Sequence, residues 1–211
     1  MDEPPVQVAV SGLIGAGKST LVAGLAPLLG FEALPEAPLE NPYLARFYED
    51  PQRWAFHSLT FFVEHTLSGA VAARARGAST LQERVVAEHM QIFAETFLAR
   101  GYIERADIDL LTRLLDTASP LLAPERLLVH VDIEPELALR RIHGRGFAPE
   151  RAVDLAYLEE LAGRYERFVA DWSASPVLRV SAEELDFREA PDLRALAAMV
   201  CEALDLKRAV R

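Results

Sequence analysis

The sequence predicts an α/β fold in three layers, a parallel five-stranded sheet held between helices. Three observations carry this. Short apolar runs alternate along the chain with longer stretches in which apolar residues recur at three- and four-residue steps. The run RLLVHVDI at 126–133 is apolar along most of its length, as a strand covered on both faces must be. A glycine-rich turn lies between the first strand and the first helix, the place where such folds hold anions.

The elements follow in order. Residues 6–10 read as a buried strand, 18–29 as a helix and 31–34 as a second strand. A helical pattern runs from 41 to 76 and breaks near Asp50-Pro51, since proline lacks the backbone N–H and restricts its predecessor. In its second half Phe56, Leu59, Val63, Leu67, Ala70 and Arg74 share one face, all apolar but the last. Residues 79–83 are taken as a strand mainly because the alternation needs one there. The stretch 84–100 reads as a helix stopped by Gly101. A helix at about 106–122, the strand at 126–133, a helix at 135–143 and a loop at 144–150 come next. A helix at 153–172, a strand at 177–180 and a helix at 192–206 complete the chain. No linker, repeat or low-complexity segment interrupts it, so 1–211 reads as one domain.

Composition narrows the function. The formal net charge is -10 and no run of Lys or Arg stands out, which argues against nucleic-acid binding. A local basic cluster still suits a small anion. Cys201 is the lone cysteine, so neither an internal disulfide nor a cysteine metal site is expected. No apolar run approaches the roughly 20 residues that span a bilayer. The start, Met1-Asp2-Glu3-Pro4-Pro5, lacks the shape of a signal peptide. The expectation is a cytoplasmic protein with no membrane or nucleic-acid partner. The chain has 20 arginines and only two lysines, Lys18 and Lys207. Where any cation would serve, this chain uses Arg, so Lys18 is singled out.

Lys18 closes Gly12-Leu13-Ile14-Gly15-Ala16-Gly17-Lys18-Ser19, the spacing of a phosphate-binding P-loop. Glycines let the backbone aim several N–H groups at phosphate oxygens, and the helix that follows, through Ser19 and Thr20, presents its positive end to the same anion. Lys18 is expected at the terminal phosphates of a nucleoside triphosphate, and the Ser19 hydroxyl on Mg²⁺. The alternative, a chance glycine-rich turn, is weakened by the strand before it and the helix after it.

The chain has no Asn-Lys-x-Asp segment of the kind that reads guanine in GTPases, which favours a small-molecule kinase. Further segments are Glu36 after the second strand, Asn41-Pro42-Tyr43, and Tyr48-Glu49-Asp50-Pro51-Gln52-Arg53-Trp54-Ala55-Phe56. Glu83-Arg84-Val85 and Arg141-Ile142-His143-Gly144-Arg145-Gly146 follow. In order and spacing these resemble the deoxynucleoside kinase family over nearly the whole chain. The resemblance implies a P-loop kinase fold that transfers phosphate from ATP, with Mg²⁺, to the 5′-hydroxyl of a deoxynucleoside. It implies Glu36 as general base, Glu83 as support for Mg²⁺, and Arg84 near the acceptor hydroxyl and the phosphate. It places Arg141 against adenine and Arg145 on the phosphates, within a lid at about 141–151. Tyr48 and Glu150 would hold the sugar 3′-hydroxyl, Phe93 would stack on the base, and Asp186-Phe187 would belong to the loop around adenine. Each has a plainer alternative: a solvated carboxylate for Glu36, a surface ion pair for Glu83 and Arg84, a basic helix end for Arg141 and Arg145, and packing aromatics for Tyr48 and Phe93.

Several positions depart from the family pattern. Ala37 stands where Pro is usual, Val85 where Ser or Thr is usual, and Phe147 where a lid Arg is common, with Arg151 near enough to compensate. The base-reading positions differ most: Leu59 replaces Gln, Thr66 replaces Arg, and His89 replaces Asp, or Glu88 does if the register shifts by one. His57 and His65 flank this region and could read a base instead, with an ordinary helix-surface position as the plainer alternative. Sugar and phosphate machinery is thus expected to be retained around a divergent base pocket. Two other readings stand beside deoxynucleoside phosphorylation: a kinase of a non-nucleoside alcohol, and a weakly active nucleotide-binding subunit that supports a partner kinase. The stretches 51–76 and 84–100 both carry wide apolar faces, and the family commonly pairs such helices across a two-fold axis, so a homodimer is expected.

Overall fold

A computed structural model of the chain describes residues 5–206; the first four residues, Met1 to Pro4, and Lys207 lie outside them. Five strands form one sheet: β1 (Gln7–Gly12), β2 (Glu32–Leu34), β3 (Thr80–Glu83), β4 (Leu127–Asp132) and β5 (Val177–Ser181). Every pairing is parallel and the order is β2-β3-β1-β4-β5. All carboxyl ends therefore share one edge. The connection from β3 to β4 crosses β1 there, and such a switch point opens a crevice for ligands. The strand at 79–83, inferred only from the alternation, is real: all of Thr80–Glu83 is buried between β1 and β2.

The helices are α1 (Lys18–Leu29), α2 (Leu44–Glu49), α3 (Pro51–Ala75), α4 (Val86–Glu88), α5 (Glu95–Ala99), α6 (Arg105–Ala118), α7 (Pro135–Gly144), α8 (Leu155–Asp171) and α9 (Ala190–Ala203). Pro51 opens α3, where its missing N–H costs nothing, and the Asp50 side chain accepts from the Arg53 N–H. The expected helix at 84–100 begins only at Val86, because Arg84 adopts φ +65°. A π-helical turn, His89–Ala94, joins α4 to α5. The expected helix to 122 stops at Ala118, and Pro120 sits in a 3₁₀ turn, Ser119–Leu121. Part of the expected loop at 144–150 is a second 3₁₀ turn, Ala148–Ala152.

Val8, Val10, Leu127 and Val129 face α1 and α9 on one side of the sheet, while Ala9 and Leu128 face α7 and α8 on the other. Both faces are thus covered, the reason the strands lack polar alternation. A third cluster joins α2, α3, α5 and α6 through Phe47, Leu59, Val63, Phe97, Ile108 and Leu111. Here the structure corrects the expected face of α3. Leu59, Val63 and Ala70 are buried, but Phe56 and Leu67 are half-exposed, and Ala55, Thr66 and Ala73 complete the buried row. Part of the apolar surface of α3 and α5 packs inside the chain, in the cluster that Ile108 and Leu111 of α6 complete. The exposed leucines among the described residues are Leu110 and Leu114 of α6, Leu121 beyond it, and Leu39 ahead of α2. Among the described residues no helix is long and apolar enough to cross a membrane.

Candidate active site

The site begins where β1 turns into α1. Gly12 has φ +140°, and a Cβ there would lie 2.6 Å from the Val131 carbonyl oxygen. Gly15 has φ +86°, and its Cβ would lie 2.6 Å from the Ala138 carbonyl oxygen. Any side chain at either position would push the loop off β4 or α7. No acidic residue occupies the first turn of α1, which keeps its free N–H groups available to an anion.

Lys18 is 4% exposed, and its Nζ donates to the Leu13 carbonyl at 2.9 Å. Burial, and then the Arg84 charge, push the ammonium from 10.5 down to about 8, against the pull of Glu83, Glu36 and Glu88. A buried cation with an apparent pKa that low is under-solvated, and phosphate oxygens would supply what it lacks. Beside it the Ser19 hydroxyl donates to Glu83 Oε1 at 2.9 Å, and the Glu36 N–H donates to Glu83 Oε2 at 3.3 Å. Glu83 closes β3, so the sheet edge itself fixes these oxygens.

Arg84 follows, with a guanidinium 2% exposed. Its Nε donates to Glu36 Oε1 at 2.6 Å. Its Nη1 donates to Glu88 Oε1 at 2.9 Å, to the Gly12 carbonyl at 3.3 Å, and to the Tyr165 hydroxyl. Tyr165 in turn donates to Glu88 Oε1 at 2.9 Å. Among the described residues Nη2 has no partner. The plain surface pair between Glu83 and Arg84 is thereby overturned: Arg84 pairs with Glu36 and Glu88, in the interior. Burial raises the Glu88 carboxyl, and Arg84 opposes that shift. Tyr165 was missed in the sequence, because it sits in register with Leu158 and Leu161 and looks like core packing. The four-residue spacing of Arg84 and Glu88 was the one available signal.

On the far side, Arg141 of α7 donates to the Ala16 carbonyl at 3.3 Å and the Ala182 carbonyl at 2.9 Å, so it staples the loop to the turn after β5. Phe187 is buried against Gly17, and Asp186 pairs with Arg188 at 2.6 Å. Arg145 is not free: its Nη2 lies 3.0 Å from Glu150 Oε2. Two residues expected to act on different ligands therefore hold each other. Phe147 packs into the third core cluster, and Arg151 is exposed and does not line the pocket, so it does not replace the missing lid arginine.

These groups surround one cavity of about 540 Å³. Gly15, Gly17, Lys18, Ser19, Thr20, Glu36, Glu83, Arg84, Arg141, Arg145, Asp186 and Phe187 line one part of it. Tyr48, Leu59, His89, Phe93 and Glu150 line it as well. Gly12 and Ala16 lie beneath the lining and act through their carbonyls, which accept from Arg84 and Arg141. The sequence did not single out Phe62, Phe97 and Tyr157, which also reach the cavity and read as ordinary helix-packing aromatics. Phe93 carries the Arg84 guanidinium over its ring at 4.9 Å. Burial pushes the Tyr48 hydroxyl up. Thr66 Oγ1 and His89 Nε2 lie 2.9 Å apart, and both side chains are buried. Burial pushes His89 down to about 3, so its ring is neutral. His57 is exposed beside Trp54, and His65 reaches the Pro35 carbonyl at 3.0 Å; neither lines the cavity.

A family model described as deoxynucleoside kinase matches residues 8–199. The chain is 32% identical over 181 residues to a deoxyadenosine/deoxycytidine kinase of Bacillus subtilis, covering 85% of this chain and 83% of that one. It is 32% identical over 180 residues to a deoxyadenosine kinase of Dictyostelium discoideum, covering 84% of this chain and 72% of that one. Among solved structures, a deoxyadenosine kinase from M. mycoides with dCMP and a flexible dCDP bound superposes with a TM-score of 0.78 at 22% identity. That match covers 93% of this chain and all of the other.

Proposed function

The chain belongs to the deoxynucleoside kinase family, and from that premise we propose that it transfers the γ-phosphoryl group of ATP to the 5′-hydroxyl of a deoxynucleoside. The observation that carries this is the meeting of Glu36, Glu83, Arg84 and Lys18 at one end of a single cavity. Phosphoryl transfer needs a base at the acceptor oxygen and fixed positive charge on the phosphates, with water kept out. Arg84 holds Glu36 by Oε1, which leaves Oε2 to take the 5′-hydroxyl proton. Arg84 Nη2 is the guanidinium nitrogen left for the acceptor or the phosphate. Lys18 and the loop N–H groups receive the donor phosphates. The Ser19 hydroxyl and Glu83 carboxylate, 2.9 Å apart, form an all-oxygen donor pair suited to a hard cation. They would hold Mg²⁺, which when bound supplies charge neutralisation on the β and γ oxygens.

Tyr48 and Glu150 take the sugar 3′-hydroxyl. Glu150 then has a new partner, and Arg145 is freed toward the phosphates, so acceptor binding arms the lid at 141–151. The whole chain works as one domain, in the cytoplasm, and pairs as a homodimer through Leu110 and Leu114 of α6, the exposed apolar face.

The test is formation of 5′-monophosphate from ATP and a panel of deoxynucleosides, with Glu36→Gln beside the natural protein. The variant keeps the shape and loses the base. General-base loss costs about 100- to 10,000-fold in kcat, with the substrate KM changed far less. Full kcat in Glu36→Gln would overturn the assignment of the base, and no monophosphate from any member of the panel would overturn the function.

A further inference from the structure

The cavity has an end that the phosphate and sugar chemistry does not use. It is walled by Leu59, Phe62, Phe93 and His89, and Leu59 is 1% exposed. Among the described residues no Asn or Gln lines the cavity. A flat heterocycle fits between such walls, but its polar edge must meet something. His89 stands there on the π-helical turn His89–Ala94, with its ring parallel to Phe62 at 7° and 6.0 Å. Its Nε2 is tied to Thr66 Oγ1, and among the described residues its Nδ1 has no hydrogen bond. Ser58 also lines the cavity, and its hydroxyl oxygen accepts from Asn41 Nδ2 at 3.0 Å.

A neutral imidazole has one N–H and one bare nitrogen, and a hydroxyl donates or accepts by rotation. If Thr66 donates to Nε2, then Nδ1 carries the proton and donates. If Nε2–H donates to Thr66, then Nδ1 is bare and accepts. Both states keep the Thr66–His89 bond, so switching between them costs no hydrogen bond between the two side chains. A charged pair has no such freedom, because its mismatch strands a buried group, and stranded groups are what give a site sharp selectivity. We infer that Thr66 and His89 form an invertible reader of the base edge, so that the protein takes deoxynucleosides carrying either an amino or an oxo group there, with little preference between them.

This rests on the kinase reading above, and two near-isosteric pairs test it apart from that reading. Deoxyadenosine and deoxyinosine carry inverted donor and acceptor patterns on the pairing edge, as do deoxycytidine and deoxyuridine. The measurement is kcat/KM for all four, with the natural protein, Thr66→Val and Thr66→Ser. Within each pair the natural protein is expected to differ by less than about tenfold. Thr66→Ser keeps the rotating hydroxyl and should keep the narrow gap. Thr66→Val keeps the shape but removes the partner of Nε2, which disfavours the tautomer with a buried, unpaired Nε2–H, and should widen at least one gap by about tenfold or more. A gap above tenfold in the natural protein, or gaps unchanged in a Thr66→Val variant whose melting curve is normal, would overturn the inference. Failure of all four substrates in a folded natural protein would instead remove the kinase reading, and the inference with it. A merely structural Thr66 would lower all four values together and leave the ratios alone.

Discussion

Replacing Lys18 by Met separates what the residue does for catalysis from what it does to the fold. Met keeps the length of the side chain and removes its charge. Burial holds the ammonium at about 8 instead of 10.5, with the neighbouring carboxylates already counted. At about 1.4 kcal/mol per pH unit, that shift disfavours the charged form by roughly 3 kcal/mol. The variant loses the bond to the Leu13 carbonyl, worth about 1 kcal/mol. The net gain is about 2 kcal/mol. For a chain of this size that raises the melting temperature by roughly 4–8 °C without ligand. The sign with pH follows from the depressed folded value: the penalty is full below about 8, fades as pH rises, and is gone above the ordinary 10.5. The melting gap between Lys18→Met and the natural protein should therefore be widest near neutrality and close between those two values. Turnover should fall at least about 100-fold, since a fixed donor to developing charge is removed. Calorimetry across pH, without ATP and with it, and steady-state phosphorylation make the check. ATP should stabilise the natural protein more than the variant. A ligand-free variant that melts at or below the natural protein at neutral pH would refute the account of a buried, under-solvated cation, and turnover within tenfold would refute its role.

Three further outcomes are expected. Tyr165→Phe removes the hydroxyl shared by Arg84 and Glu88, so kcat should drop about tenfold at nearly constant KM for ATP, with about 1–3 kcal/mol of stability lost; unchanged kcat would exclude Tyr165 from positioning Arg84. Ala37 has φ +51° beside Glu36, so Ala37→Gly should raise stability by up to about 1 kcal/mol. Ala37→Pro, the residue usual in the family, cannot adopt that φ and should lower both the melting temperature and kcat; a fully active, equally stable Pro variant would count against this backbone geometry. Light scattering should give twice the 23.3 kDa chain mass and Leu114→Glu should halve it, whereas a monomer at micromolar concentration would count against pairing through α6.

The parts of this molecule that were legible in the sequence are those whose physics is local. Parallel strands buried on both faces tend to be short and apolar, and four of the five were read from such runs at nearly their true bounds; the strand at 79–83 rested mainly on the alternation. The P-loop was legible because its constraints are on the backbone: Gly12 and Gly15 stand where a Cβ would strike β4 or α7. Glu36, Glu83 and Arg84 were findable because each follows or closes a strand at the ligand edge. Tyr165 was not, since its partner Arg84 is 81 residues away and helical spacing alone marks it as core. The π-helical turn was hidden for another reason: its apolar pattern fits an α-helix, and only the placement of His89 and Phe93 toward the cavity distinguishes it. What covers the apolar faces of α3 and α5 was not legible, because a helix pattern shows that a face must be covered but not by what; residues of α2, α3, α5 and α6 share one cluster there.

Several of the costs in this structure meet in one place, although Asp205, at φ +53° just after α9, is not among them. Lys18 is charged where water cannot reach it. Arg84 takes φ +65° and Ala37 takes φ +51°, each a conformation that disfavours a side chain by about 1–2 kcal/mol. Glu88 is a carboxyl with no exposure at all, raised by burial and held by Arg84 and Tyr165. Each would be selected against in a protein that only had to fold. All four border the point where Glu36, Arg84 and Lys18 face one another, and each fixes a group that would otherwise have to be ordered as the phosphoryl group moves. The base end shows the opposite economy. Leu59 packs in the core, and Thr66 Oγ1 pairs with His89 Nε2. Strain is thus concentrated on the group that is transferred, and the base end, which would only have to admit a substrate, is left unstrained.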